Sequence, residues 1–421
     1  MKRWVEWGRL ISITGLVQIL VQVLGLLSGI AIIRLLPTTE FALYTLANAV
    51  LATIMVLADS GIGAGILASG GRVWQNPKAL GSVVKAGIAL RKRFALITLM
   101  IALPVLWCLL LRHGANWLMA LGILFAIIPA FFASLSDTLY ELPLKLKQDI
   151  GALQKNQLLA NLSRFVILTS SLYFLPFTIV ALIGTGFSRI WANVALRKRA
   201  FRLADLRQAA DPLVKTEIAG MLKRTMPSTI YYCLSGQLTI WLISIFGNTT
   251  GIAQLGALER VVGVVGVIGI VFTTLVIPRF ARLQQDAALL LSWFVKILGL
   301  LIGISVCVCL AFYFLADQVL LVLGPRYSNL QLPLLLVSIG SCLKLMAGIA
   351  NYLSVARGWA IQPSLHIIVS VLVQILLIAY LDLTVLNHIL VISMVNGLVA
   401  LLLYCGYFFY RGFGVKAFSY G

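Results

Sequence analysis

Residues 11–33, ISITGLVQILVQVLGLLSGIAII, hold no charged side chain in a run of 23. A helix of that length rises about 34 Å, enough to cross a hydrocarbon core of roughly 30 Å. A helix is also the form that satisfies every backbone N–H and C=O within one segment, as lipid demands. Lys2, Arg3 and Arg9 stand just before the run. A cleaved signal sequence also opens on basic residues. This run is long enough to span, however, and no small-x-small cleavage site ends it, so it reads as a retained first span.

The rest of the chain repeats the pattern. Of 421 residues, 61% are hydrophobic and only 11% charged, although the net charge is +20. Soluble domains are usually ~45–50% apolar and ~25% charged, so a basic soluble nucleic-acid binder is excluded. Apolar runs bounded by charge or Pro/Gly predict twelve spans at about 11–33, 41–67, 94–111, 117–139, 160–175, 177–196, 227–246, 256–277, 293–316, 332–355, 363–381 and 387–410. The segments between them alternate in charge. One side carries 27 of the 33 basic residues, and the other carries Arg34, Arg112 and Arg326. The positive-inside rule then puts both termini in the cytoplasm.

The longest inner segment, 197–226, begins Arg197-Lys198-Arg199 and ends in Lys223-Arg224-Thr225-Met226. It falls after six spans and before six more. The organisation expected is an N-terminal six-helix lobe (1–196), a cytoplasmic basic linker (197–226) and a C-terminal six-helix lobe (227–421). A weak repeat supports it: Leu36-Pro37-Thr38-Thr39 between spans one and two has a counterpart in Gly247-Asn248-Thr249-Thr250 between spans seven and eight. Two such halves around a central cavity are a known transporter architecture. Residues 201–207 have an amphipathic look that fits an interfacial helix on anionic headgroups. The six cysteines all lie in apolar segments as small buried hydrophobes, and neither they nor the three scattered histidines have metal-ligand spacing.

Ionisable residues inside spans are costly and usually face a cavity or a partner. Lys344 sits midway through span ten, roughly 18 Å from either end at ~1.5 Å per residue and beyond snorkelling reach. Ser341, Gly348 and Asn351 share its face. Lys344 either pairs with a buried carboxylate or lines a cavity. In span six, Thr185, Arg189 and Asn193 form a second polar stripe. Arg260 lies near the start of span eight beside Glu259, where it can snorkel or face a cavity. Arg34 either pairs with Glu40 at the membrane boundary or adds a further cation. Span one aligns Gly15, Gln18, Gln22, Gly25 and Gly29, a stripe suited to helix packing or cavity lining. Span two places Asn48 and Asp59 on one face, and Asp59 is either an ion-pair partner or a titrating coupling site. Asp137 and Glu141, ending span four, read as solvated. Gln362, His366, Ser370 and Gln374 repeat every four residues in span eleven.

Buried cations thus outnumber buried acids, which points to an anionic substrate. There is no G-x-S-x-G, H-E-x-x-H or Walker A motif, and the outer loops are short. A membrane polysaccharide polymerase or transferase, the alternative of a different class, would need catalytic groups on larger loops. An enzyme is not expected, nor a cofactor, metal or nucleic acid.

The run Arg34-Leu35-Leu36-Pro37-Thr38-Thr39-Glu40-Phe41-Ala42-Leu43-Tyr44, followed by Ala58-Asp59-Ser60-Gly61, resembles the opening of polysaccharide and O-antigen flippases of the Wzx type. These belong to the multidrug/oligosaccharidyl-lipid/polysaccharide exporter superfamily. Met226-Pro227, Ala257-Leu258-Glu259-Arg260, Ile277-Pro278-Arg279-Phe280 and Leu323-Gly324-Pro325-Arg326-Tyr327 are similar in the second half. Ala42 stands where the family usually has Gly. The resemblance implies a bacterial inner-membrane flippase for an undecaprenyl-diphosphate-linked oligosaccharide, with membrane lipids, a polysaccharide polymerase and a chain-length regulator as further partners. On that reading Lys344, Arg189, Arg260 and Arg34 attract the diphosphate, and Gln18, Gln22, Asn48, Asn351 and Gln374 meet sugar hydroxyls. Asp59 or Glu259 is then the coupling residue. A cation-coupled multidrug exporter of the same superfamily is the alternative.

Overall fold

The structure is a computed structural model that describes residues 2–59, 62–147, 149–281, 283, 286–357, 359 and 363–418. Gln362, Ser60 and Gly61 lie outside the described residues. The described chain is helical throughout: α1 (Lys2–Leu35), α2 (Thr38–Asp59), α3 (Ile62–Val73), α4 (Pro77–Arg112), α5 (Trp117–Leu146), α6 (Ile150–Phe174), α7 (Thr178–Leu203), α8 (Pro212–Gly236), α9 (Leu238–Phe246), α10 (Thr249–Val262), α11 (Val265–Val271), α12 (Ile277–Ala281), α13 (Ala287–Phe314), α14 (Ala316–Leu323), α15 (Gln331–Val355), α16 (Pro363–Tyr380) and α17 (Leu386–Phe418). A π-helical turn, Phe272–Val276, joins α11 to α12.

Local chemistry sets the helix starts. Asn76 accepts the Lys78 and Ala79 N–H groups at 3.0 and 3.3 Å, with Pro77 in the first turn of α4. Asn116, Asp211 and Asp286 cap α5, α8 and α13 in the same way. The weak repeat has a structural counterpart. Thr38-Thr39 opens α2, and Thr249-Thr250 opens α10 behind Asn248, whose Oδ1 accepts the Gly251 N–H at 2.7 Å.

The chain is a multi-pass membrane protein. Nine described helices are long and apolar enough to cross, and ten if Thr229–Gly236 and Leu238–Phe246, bent by 57°, count as one span. The remaining two of the twelve expected spans fall on α6 and α16. Ser364–Tyr380 of α16 is apolar but short, and α6 carries Gln154, Lys155, Asn156, Gln157, Asn161 and Arg164. The apolar residues are distributed as lipid requires: Met100 and Ile101 of α4 are 77% and 66% exposed.

Two compact units divide the chain, Met1–Ile240 and Trp241–Gly421. In the first, Leu80 and Val84 of α4 pack with Leu144, Leu196, Ala200 and Leu206. Ile62, Ile66, Val83 and Leu139 form a second cluster with Ile218 and Leu222 of α8. Residues 197–226, expected as a linker, are therefore largely helical and docked. α7 continues to Leu203, so residues 201–207 form no separate interfacial helix, and Leu206 is buried because it fills the α4–α7 core. The connection is pinned where Asp205 N–H donates to Pro77 O at 2.9 Å. At Gly81 a Cβ would lie 2.0 Å from the Asp205 carbonyl oxygen, so only glycine admits this backbone contact. The half-buried Asp205 carboxyl is held below its ordinary range, mainly by the Gln208 amide and then by the Arg207 N–H.

In the second unit, Phe294 of α13 stacks on Phe408 of α17 with ring centroids 3.8 Å apart. Met346, Ile349, Ala350 and Leu353 of α15 complete that core.

Candidate functional site

Each unit carries its own charged cluster. In the second unit, α15 brings Lys344 to the middle of its length, where the side chain is exposed although the helix is half-buried. Its Nζ donates to Ser393 Oγ on α17 at 2.7 Å. The two helices come close at Gly397, where a Cβ would stand 3.2 Å from Leu343 Cβ and 3.4 Å from Gly340 O. That approach lets the short Ser393 side chain reach Lys344. On α10, Glu259 is exposed, Arg260 is half-buried, and Glu259 lies within electrostatic reach of both Lys344 and Arg260. Beside Gly348, on the Lys344 face, no described atom stands within 4 Å of where a Cβ would be, and Asn351 follows on the same face, half-buried. Two cations and one carboxylate thus gather around an accessible stretch of α15, an arrangement able to hold an anionic group.

The first unit holds two clusters. Arg189 of α7, with a side chain 49% exposed, lies 3.7 Å from Asp137 of α5, which is only 14% exposed. Asn193 donates to Asp137 Oδ1 at 2.7 Å and to Ser136 Oγ at 3.0 Å. Glu141 pairs with Lys145 at 2.6 Å. Asp137 and Glu141 are therefore paired and largely buried rather than solvated. The cause is that α5 continues to Leu146, well past the expected end of its span, and packs against α7 there.

The second cluster centres on Arg91 of α4, which sequence reasoning grouped with the basic loops. Its side chain is 4% exposed, pairs with Asp59 of α2, and donates to Leu135 O and Thr138 Oγ1 of α5. Asp59 in turn accepts the Gly63 N–H at 3.1 Å, which bridges the break between α2 and α3. Of the two readings of Asp59, the structure thus supplies an ion-pair partner.

The remaining candidates are dispersed. Gln18 Nε2 donates to Gln157 Oε1 at 3.1 Å, joining α1 to α6, while Gln22 is exposed. Asn48 bonds back to Tyr44 O of its own helix at 2.7 Å. Arg34 is exposed, and the Glu40 carboxylate accepts the Thr178 N–H at 2.7 Å, tying the start of α2 to the start of α7. The α16 stripe is buried: His366 stacks on Tyr404 of α17 with centroids 5.1 Å apart, and Ser370 and Gln374 are 0% and 8% exposed. Gln374 thus lies within helix packing, whereas Lys344, Arg189 and Glu259 are accessible. Ser393 was missed because α17 reads as uniformly apolar, and nothing local distinguishes that serine.

No family model matches the chain, and no curated protein matches it. Solved structures do. An inward-facing multidrug resistance MATE family transporter of the MOP superfamily aligns over 94% of this chain and 96% of its own, with a TM-score of 0.74 and 15% identity. An outward-facing structure of such a transporter aligns over 97% and 96%, with a TM-score of 0.63 and 15% identity. A MATE in complex with MaL6 aligns over the same shares at a TM-score of 0.63. At such identities the likeness is one of fold, and the fold of this chain is that of the MATE transporters of the MOP superfamily.

Proposed function

We propose that this chain is a secondary transporter of the bacterial inner membrane, with both termini cytoplasmic, that moves an anionic, lipid-linked cargo by alternating access. The best fit is an undecaprenyl-diphosphate-linked oligosaccharide carried to the outer leaflet for polysaccharide synthesis. The observation that carries this reading is the accessible Lys344 ammonium at mid-helix, which with Arg260 lies within electrostatic reach of Glu259, and the exposed Arg189 guanidinium of the first unit. A diphosphate interacts with such groups electrostatically while its lipid tail stays in the bilayer. Moving about two negative charges outward down a ~100 mV potential releases roughly 4–5 kcal/mol. The test is complementation: Lys344→Ala in a strain lacking the native gene should abolish surface polysaccharide while membrane protein levels hold. Wild-type polymer levels in that strain would sink the reading.

A second reading, export of small amphiphilic drugs, is favoured by the structural neighbours, which bear on it more directly than on a flippase. On that reading the accessible acid Glu259, not Lys344, is the essential charge. Deletion of the gene should then raise drug susceptibility and leave surface polysaccharide intact.

A further inference from the structure

Within the first unit, a cavity of about 290 Å³ opens between α4, α5 and α7, and it touches the clusters just described at Arg91 and Ser136. Lys85, Lys92 and Arg197 line it together with Tyr140, and no carboxylate is among the described lining residues. Arg91 also borders it but is committed to Asp59. Lys92 and Arg197 are exposed, and Arg197 lies 5.6 Å over the Phe201 ring, which fixes its direction.

The cavity combines cationic and apolar walls. Along α4 its wall runs from Lys85 to Ala95, about 15 Å of helix. Along the neighbouring α5 it runs from Tyr140 to Phe132, in the opposite chain direction. Lys85, Tyr140 and Arg197 therefore mark one end, and Lys92, Ala95, Leu135 and Phe132 mark the other. The apolar run of α4 begins near residue 94, so Lys85 lies about 13 Å outside the hydrocarbon and Ala95 at its edge. Lys92, about 3 Å outside the hydrocarbon, stands at headgroup depth with Ala95 and Phe132 beside it at the acyl boundary, and Lys85 extends the cationic wall outward, a combination that matches one class of molecule in its surroundings. We infer that this cavity binds the phosphodiester headgroup of an anionic phospholipid in the leaflet facing the basic loops, with the glycerol and first acyl carbons against Ala95, Leu135 and Phe132. This site is separate from the Lys344 cluster and does not rest on the cargo assigned to it.

The test uses the full chain in nanodiscs and native mass spectrometry. Wild-type protein should retain one phosphatidylglycerol when released from mixed phosphatidylglycerol–phosphatidylcholine discs, and millimolar inorganic phosphate should not displace it. Lys85→Gln/Lys92→Gln/Arg197→Gln should weaken retention roughly 100-fold, about 5-fold per cation. A control of equal charge change outside the cavity, Lys78→Gln/Arg93→Gln/Arg202→Gln, should retain lipid as the wild type does. Equal loss in both variants would mean diffuse attraction to the basic face, and unchanged retention in the cavity variant would mean no site; either result overturns the inference. Displacement by inorganic phosphate, or equal retention of phosphatidylcholine, also overturns it. If the triple variant does not fold, Lys92→Gln alone should still give the 5-fold loss, and its absence counts against the site.

Discussion

Lys344 and Ser393 join α15 to α17 by a hydrogen bond of 2.7 Å between Nζ and Oγ, halfway along α15. A lysine anchored by a hydroxyl keeps two further N–H donors for another group, here with the Glu259 carboxylate within electrostatic reach. Arg91, by contrast, is ion-paired directly with Asp59 and is only 4% exposed.

The two partners should therefore differ in mutational cost. Ser393→Ala removes one hydrogen bond to a charged group, at most about 1.5–3 kcal/mol and less at an accessible site. Transport should fall by less than about tenfold, while Lys344→Gln should remove it at equal protein abundance. A vesicle transport assay on both variants decides this, and equal losses would mean that Ser393 itself contacts cargo.

Arg91 should be a stability residue. Arg91→Ala removes the guanidinium from Asp59, Leu135 O and Thr138, and breaking buried pairs typically costs 3–5 kcal/mol. Asp59 is 40% exposed, so a loss nearer 2 kcal/mol is expected. The double variant Asp59→Asn/Arg91→Met should recover part of it. Thermal unfolding in detergent provides the measurement, and additive losses would contradict the pairing.

Gly81→Ala should detach the 204–206 connection from α4, because the new methyl would meet a backbone carbonyl that cannot rotate away. A cost above about 2 kcal/mol is expected, as for overpacked sites. Faster hydrogen exchange at the Asp205 amide, with little change in the α13–α17 core, would show the local detachment.

Asp205 gives a pH dependence with a defined sign. Its carboxyl is depressed on folding, so its contribution is complete above the unfolded value of 3.8 and is lost as pH falls through the lower folded value. Structure at 204–208 should thus be constant across neutral pH. Gln208→Ala should move the carboxyl titration, followed by its NMR shift, upward toward the ordinary value.

The charge alternation predicts orientation directly. In a cysteine-free background, Lys78→Cys and Lys198→Cys should react only with reagents that reach the cytoplasm, and Arg326→Cys only from outside. Reaction of all three from one side would overturn the topology.

Much of this fold was legible because lipid makes a simple demand: a long apolar helix reads the same whatever packs beside it. Lys344 was legible for the same reason, since a charge far from both ends of a span has few explanations. Arg91 was not. It lies just ahead of the apolar run of α4, among the basic residues that set orientation, and its partner is 32 residues earlier in another helix. Helical spacing reports which residues share a face, not which helix that face meets. Asp137 was misread for a related reason: the apolar signal ends near it, whereas α5 and its contact with α7 continue.

The 36 residues of α4 make a rod of about 54 Å, of which only some 30 Å fit within lipid. The remainder is a lever arm whose tip, at Pro77–Gly81, is fastened to Asp205. A tilt of the rod by about 10° about its far end would sweep that tip through about 9 Å, a geometric consequence of its length. Small rotations within the bilayer thus become large strokes at residues 204–211, the segment that leads from α7 into α8.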